Sequence, residues 1–446
     1  MSPNDAPRRL PIAPKAPPSS ERVHLPLAPE VRASDRAVRP EYVVWEITLQ
    51  CDLACRHCGS RAGRARPDEL TTAQALDLVA QMAELGVEDI TLIGGEAYLR
   101  EDWHQIASAI TRAGMNCSMT TGGRALTPER ARMVADAGIE TVSVSIDGLE
   151  ATHDRLRAVK GSYAAAMRAL ENLAAVGVPV SVNTQMCGIN LEEIEPLLEL
   201  LAAQGIHSWQ VQITVAMGRA ADNPELLLQP WRMLELMPMV ARIARRCEEL
   251  DVRLWPASNV GYFGPYEQLL RRDYPDLHQS GCDAGMRAMG IEANGDIKGC
   301  PSLPTAGYVG ANIVEHGLRD IWERAAPLQF NRERGTEDLW GHCASCYYAE
   351  VCKAGCTWTG HVLFGKRGNN PYCHHRSLEL LREGLRERIE LAEAAPGLPF
   401  DHGRYRLIEE PWPEPLLARA REVAATGEGW ISAPASTSTS TSSSTS

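Results

Sequence analysis

The alternation of apolar and polar positions shows one unit repeated between about residues 43 and 259. In it an amphipathic helix stops at a glycine and a short, β-branched apolar run follows. The joints are Gly86-Val87, Gly114-Met115, Gly138-Ile139, Gly177-Val178 and Gly205-Ile206, where glycine supplies the left-handed helix cap that other residues resist. The apolar runs predict strands over Val43–Leu49, Asp89–Ile93, Cys117–Thr120, Thr141–Ser145, Pro179–Asn183 and Trp209–Thr214. Helices start behind caps such as Thr71-Thr72, Thr127-Pro128 and Asn190, and one carries Leu76, Val79, Met82 and Ala83 at three- and four-residue steps. Six alternations of strand and helix imply an α/β fold with a parallel sheet and right-handed crossovers, a partial or full (βα)6 barrel of the TIM type. An open doubly wound sheet has the same periodicity and stays as the competing architecture. In both, ligands gather at the carboxyl ends of the strands.

Outside this repeat the pattern changes. Residues 1–40 are rich in Pro, Arg and Ala without a sustained period and read as a flexible lead-in to a core over 41–260. Residues 261–376 have little regular pattern, with recurrent Gly, Pro and Cys, so metal ligation rather than an apolar core is expected to hold them. A helical extension is expected over 377–431, beginning with a stretch from about Ser377 to Ala395. A Ser/Thr-rich tail over 432–446 lacks the apolar groups to order itself.

With 44% hydrophobic residues in 446, the chain can bury a sizeable core. A net charge of −12 leaves no basic stripe for nucleic acid. No apolar run reaches the roughly 18 residues of a membrane span. Met1 to Pro18 lacks the apolar region of a secretory signal, so a cytoplasmic location is expected. In that reducing setting the 13 cysteines, too sparse and too clustered for a disulfide scaffold, point to metal or redox chemistry.

The first strand runs into Cys51-Asp-Leu-Ala-Cys55-Arg-His-Cys58. Three thiolates cannot close a four-coordinate zinc site alone. A [4Fe–4S] cube on three cysteines leaves one iron open to a small molecule. The spacing Cys51-x3-Cys55-x2-Cys58 resembles the signature of the radical S-adenosylmethionine (SAM) superfamily. The resemblance continues through Ile93-Gly94-Gly95-Glu96, Thr121-Gly122, Ser143-Val144-Ser145-Ile146-Asp147-Gly148 and His153-Asp154-Arg155-Leu156-Arg157. It implies that the open iron binds the amino and carboxylate groups of SAM, whose reductive cleavage gives a 5′-deoxyadenosyl radical that abstracts hydrogen from a substrate. By the same resemblance Gly94 and Gly95 let the backbone approach SAM, and Glu96 accepts from its ammonium. Arg157 pairs with its carboxylate, Ser145 and Thr121 lie nearby, and His57 stands where relatives place an aromatic residue beside the adenine. Ala97 and Thr121 replace the Pro and Asn common in the family.

Seven cysteines follow: Cys282, Cys300, Cys343-x2-Cys346-x5-Cys352-x3-Cys356, and Cys373. The pattern resembles the SPASM extension, which holds two auxiliary [4Fe–4S] clusters. The resemblance puts Cys343, Cys346, Cys352 and Cys373 on one cluster, and Cys282, Cys300 and Cys356 on the other, either open at its fourth iron or completed by a group such as Asp283. Cys343, Cys346, Cys352 and Cys356 also have the spacing of a zinc knuckle. Tyr347, Tyr348, His374 and His375 are expected to pack around the clusters. Cys117 and Cys247 read as buried apolar residues, and Cys187 as inert.

The resemblance implies an oxidoreductase that modifies a peptide or protein, with a ribosomally made precursor as the expected substrate. Its partners would be an external electron donor such as flavodoxin or ferredoxin and, since the lead-in is too short for a winged-helix module, a separate leader-peptide-binding protein or a sheet edge. Rival readings are an anaerobic sulfatase-type maturase and a small-molecule or cofactor-maturing radical enzyme. The first is weakened because Pro301 follows Cys300 where those relatives tend to carry Asp. A non-catalytic iron–sulfur electron carrier is the rival from another class, and it has no need of Glu96 and Arg157.

Overall fold

The structure is a computed structural model that describes residues 7–10, 12 and 24–431. Its strands in chain order are β1 (Arg8–Arg9), β2 (Tyr42–Glu46), β3 (Asp89–Ile93), β4 (Asn116–Thr121), β5 (Thr141–Ser145), β6 (Val180–Met186), β7 (Ser208–Ile213), β8 (Arg253–Pro256), β9 (Ala288–Ile291), β10 (Asp296–Lys298), β11 (Val309–Asn312), β12 (Leu385–Glu393) and β13 (Arg404–Pro411). A ten-stranded sheet runs β11-β10-β9-β2-β3-β4-β5-β6-β7-β8, and a three-stranded sheet runs β1-β13-β12. Strands β2 to β8 are parallel and joined in sequence order, the topology of a barrel rather than of a doubly wound sheet. The barrel is partial: β9 pairs parallel with the free side of β2, and the antiparallel β9-β10-β11 meander carries the sheet into the cysteine-rich region. β8 is a seventh parallel strand beyond the six that the periodicity marks.

Period-two alternation sorts each barrel strand into two faces. Val43, Trp45, Ile90, Leu92, Cys117, Met119, Val142, Val144, Val182 and Val211 are buried beneath the helices. The alternate positions, Thr91, Ser118, Ser143, Ser145, Asn183, Gln185, Gln210 and Gln212, are half-buried on the opposite, concave face. The helix Thr72–Leu85 shows how locally this is written. Thr71 and Gln74 form a capping box at its start, and Gly86 ends it at φ 90°.

Three expectations need correction. The cysteine-rich region does share the main core: Met289, Ile291, Ile297, Ile321, Trp322 and Leu328 pack in one cluster with the barrel. The 377–431 extension is not all helical. The helix His374–Arg382 stops at Gly384, and β12 and β13 form a hairpin before the last helix, Glu414–Thr426. The lead-in is partly ordered as well. Arg8–Arg9 pairs antiparallel with β13, and the short helix Ala33–Ala37 buries Asp35 against Arg332 at 3.2 Å. The Ser/Thr tail lies outside the described residues.

Candidate active site

Cys51, Cys55 and Cys58 lie on the loop after β2, at the carboxyl end of the parallel strands, and the loop wraps around its own sulfurs. The backbone N–H of Leu53 donates to Cys51 Sγ and that of Ala62 to Cys58 Sγ, both at 3.4 Å. Burial pushes the Cys51 thiol up to about 12, and the nearby charges of Glu96, Cys55 and Cys58 add to it. Cys55 is raised by burial, opposed by Arg157. Cys51 and Cys55 thus lie near Cys58 where burial disfavours their own thiolates, so a metal cation would be needed to hold those two ionised.

Glu96 closes the floor beside them. Its neighbours Gly94 and Gly95 run so close to the strand exit that a Cβ on Gly95 would meet the Leu49 and Gln50 carbonyl oxygens. The same approach lets Gly95 donate to Thr48 O and Glu96 to Gln50 O, each at 2.8 Å. The Glu96 carboxyl is 1% exposed. Oε2 accepts from Gly122 N at 2.8 Å, and Oε1 is buried without a hydrogen-bond partner. Burial raises this carboxyl to about 8, opposed by Thr121 and Gly122. An unpaired carboxyl oxygen near the Cys51 thiol fits the ammonium of an amino-acid head group.

Asp147 organises the other side, a role that the sequence reading missed although it quoted the residue. It is fully buried, with Oδ2 at 2.6 Å from Arg157 Nη2 and 3.3 Å from His57 Nε2. Burial alone would raise this carboxylate, but Arg157 and His57 hold it far below the ordinary range. Arg157 Nη1 reaches Cys55 Sγ at 3.7 Å, and its Nε is buried and unpaired. Thr121 Oγ1 accepts from Gly123 N at 2.8 Å. Ser145 ends β5 on the concave face, in register with Asn183. All seven residues assigned to SAM therefore border the thiol loop or the strand ends next to it. Arg219 was also missed: its Nε donates to Cys55 O at 2.7 Å and its Nη1 to Ala62 O at 3.0 Å, bracing the loop from beyond β7.

The seven later cysteines form two sets interlocked along the chain. Cys300 is pushed up to about 12 by burial and then by Cys282 and Cys356. Cys356 is raised to about 11 by burial and then by Cys282. Cys352 is raised to about 12 by burial and then by Cys343 and Cys346, while Cys373 is raised by burial, Cys352 and Cys343. Cys343, Cys346, Cys352 and Cys373 line one pocket with Tyr262 and Arg376. Cys356 thus neighbours Cys282 and Cys300 and is not among the cysteines lining that pocket. Tyr262 stands between the sets, its hydroxyl accepting from Cys356 N and its carbonyl from Cys373 Sγ. Asp283 is exposed, and the charges acting on it are Arg287 and Glu41. Cys117, Cys187 and Cys247 are buried among apolar side chains.

Residues 45–201 match the family model of the radical SAM superfamily, and residues 282–347 match that of an iron–sulfur cluster-binding domain, SPASM. An AdoMet-dependent heme synthase of Methanosarcina barkeri is 30% identical over 76% of this chain and 97% of its own. The chain belongs to the radical SAM superfamily. Two further relatives carry other names. The PqqA peptide cyclase of Methylocella silvestris is 29% identical over 77% of this chain and 90% of its own. The mycofactocin maturase MftC of Mycobacterium tuberculosis is 27% identical over 85% and 93%. In structure, the chain resembles SuiB of Streptococcus suis bound to S-adenosylmethionine, with a TM-score of 0.59 at 19% identity over 72% of this chain and 74% of that one. It also resembles anSMEcpe with bound AdoMet, with a TM-score of 0.61 at 14% identity over 76% and 95%. These likenesses show the fold.

Like its relatives, this radical SAM protein is an enzyme whose cofactors are [4Fe–4S] clusters and SAM. No helix among the described residues is long and apolar enough to cross a membrane.

Proposed function

We propose that this radical SAM enzyme modifies a peptide, with Cys51, Cys55 and Cys58 holding the SAM-binding cluster. Cys282, Cys300 and Cys356 would hold one auxiliary cluster, and Cys343, Cys346, Cys352 and Cys373 the other. The observation that carries the reading is the placing of Cys51, Cys55 and Cys58 on one loop at the carboxyl end of a parallel barrel, near a buried Glu96 whose Oε1 has no partner. A cluster with SAM bound supplies one-electron cleavage of the sulfonium and a radical that takes a hydrogen atom from the substrate.

The chain's own residues do the rest. Glu96 receives the SAM ammonium on Oε1. Asp147 fixes Arg157 and His57 in place, with the guanidinium set between Cys55 and the site. Arg219 holds two carbonyls of the loop, those of Cys55 and Ala62.

The peptide reading is supported by the relative named a peptide cyclase and by the concave face. Asn183 lies in register with Gln210, and Gln185 with Gln212, a double row of carboxamides across β6 and β7. Carboxamides offer donors and acceptors together, which suits a peptide backbone. A heme precursor presents carboxylates, for which cations are the natural partners. The second reading, formation of heme, is favoured by the similarity to the Methanosarcina enzyme. An external electron donor such as flavodoxin or ferredoxin would reduce the clusters, and a separate protein or a sheet edge would bind the leader segment.

The test is to incubate anaerobically reconstituted, reduced enzyme with SAM and candidate precursor peptides. We expect 5′-deoxyadenosine to form together with a mass change in a peptide. Cys55→Ala should abolish both while leaving about two thirds of the iron in place. Turnover with a heme precursor and none with any peptide would decide for the second reading.

A further inference from the structure

Each thiol set has a buried arginine beside it with a nitrogen that finds no acceptor. At the first it is Arg157 Nε, and at the four-cysteine set it is Arg376 Nε. Both arginines are also paired with a carboxylate, Asp147 and Glu387 respectively. Arg334 is different. It is 5% exposed, and among the described residues no carboxylate is paired with it. Its Nη1 donates to Thr357 Oγ1 at 2.9 Å and to Asn331 Oδ1 at 3.4 Å, while both Nε and Nη2 are buried and unpaired. A permanent charge in that state is unfavourable unless an anion meets it.

Its position says which anion. Thr357 directly follows Cys356, and the Asn331 amide donates to the carbonyl of Cys282 at 2.6 Å, so Arg334 is tied to the three-cysteine set. Its charge also acts on Cys352 of the four-cysteine set and on Tyr308, which packs with Cys282 and Cys300. With Cys282 and Lys353 it lines a cavity of about 520 Å³.

We propose that Arg334 is a positioning residue shared by the two auxiliary clusters, offering Nε and Nη2 to them and holding both at higher reduction potentials than they would otherwise have. The physical reason is one of sign. A cluster on cysteine thiolates gains negative charge when reduced, and a nearby fixed cation in a poorly screened site favours that reduced form. Both auxiliary sites would then accept an electron more readily. The proposal rests on the cluster assignment above.

The experiment uses anaerobic holoenzyme. Iron and sulfide content with EPR intensity first establish how many clusters the unaltered protein holds, and auxiliary sites without clusters would overturn the assignment and this proposal together. Reductive titration followed by EPR then compares Arg334→Gln and Arg334→Lys with the parent. In Arg334→Gln the auxiliary reduction equilibria should fall about tenfold, 59 mV for one electron, with the SAM-binding cluster unmoved, while Arg334→Lys stays near the parent. Unchanged auxiliary potentials in an iron-replete Arg334→Gln overturn the proposal. Should Arg334→Gln lose auxiliary iron, the lysine variant decides. Restored iron and potential support a charge role, and loss of iron in both marks a packing residue and overturns it.

Discussion

At the scale of single residues the site works through groups kept out of their ordinary ionisation state. Glu96 is the clearest case, with burial raising its carboxyl to about 8 from the ordinary value of about 4.3. Below about 8 the carboxyl holds a proton that an incoming ammonium must expel. SAM affinity should therefore climb with pH, by up to about tenfold per unit, and level off above that value. Calorimetry in buffers of different ionisation enthalpy should detect the released proton. Glu96→Gln should bind SAM roughly tenfold to a hundredfold more weakly and show no proton release. A pH-independent affinity in the parent would sink this role. Gly218 makes a steric counterpart, at φ 58° with the Cys58 and Gly59 carbonyls where a Cβ would stand. Gly218→Ala should push the thiol loop aside, lowering SAM cleavage and the iron of the first cluster while the auxiliary iron persists. An unchanged iron content with full cleavage would show that the loop tolerates the shift.

Between elements, the joint that ties the barrel to the auxiliary region is a buried set of four ionisable groups. Glu46 ends β2, Glu292 follows β9, Lys298 ends β10, and Arg66 comes from the loop beyond the thiols. Arg66 Nη2 is 3.0 Å from Glu292 and 3.4 Å from Glu46, and Lys298 Nζ is 2.9 Å from Glu292. Burial works on both acids. Lys298 and Arg66 overcome it at Glu292, which falls to about 2, whereas burial wins at Glu46, which rises to about 8. Glu46 is thus raised, so the folded state keeps a proton that the unfolded chain gives up above about 4.3, and the stability it lends declines between those values. Glu46→Gln imitates the neutral form. It should match the parent at pH 5 and show an apparent Tm about 2–6 °C higher at pH 9, read by circular dichroism on anaerobic holoenzyme. Equal melting at both values would refute the protonated state.

How far such elements could be read in advance depended on where their reasons lie. β3 and β5 were legible residue for residue because their alternation and glycine joints are local. The clustering of the cysteines was local too, but their division into sets came from the resemblance, since the spacing alone also allowed a zinc knuckle. Residues 385–393 were misread as helix because Leu385-Arg-Glu-Arg-Ile-Glu-Leu-Ala-Glu393 is composed of helix formers. The strand wins through distant partners. Arg386 and Arg388 both bond Glu410 across the hairpin, and Glu387 is buried against Arg376. Arg219 and Arg334 escaped for the same reason. Arg219 meets the thiol loop 164 residues away, and no local pattern announces such a contact.

Across the whole molecule, the hairpin joins the chain's late residues to the mouth of its early barrel. Its tip lies against the exit of β7: Gly218 N donates to Asp401 O at 2.8 Å, and His402 bridges Met217. One carboxylate oxygen of Asp401 accepts from Arg61 of the thiol loop at 2.7 Å, and the other accepts from the tip's own Leu398 N at 2.9 Å. Phe400, at φ 54°, is thereby held among Val215, Met217 and Val362, with Lys298 Nζ 4.1 Å from its ring centre. A non-glycine residue held in that left-handed conformation stores strain that the surrounding contacts must offset. One carboxylate therefore fixes both the tip and its attachment, and its removal releases the strain by letting the tip lift. The mouth would then admit water to a site whose radical chemistry depends on excluding it. Asp401→Ala should retain all its iron, yet form 5′-deoxyadenosine severalfold faster than modified product and lose its iron–sulfur absorbance faster in air. If coupling and air sensitivity both match the parent, the tip is an attachment point for the hairpin and takes no part in sealing the barrel.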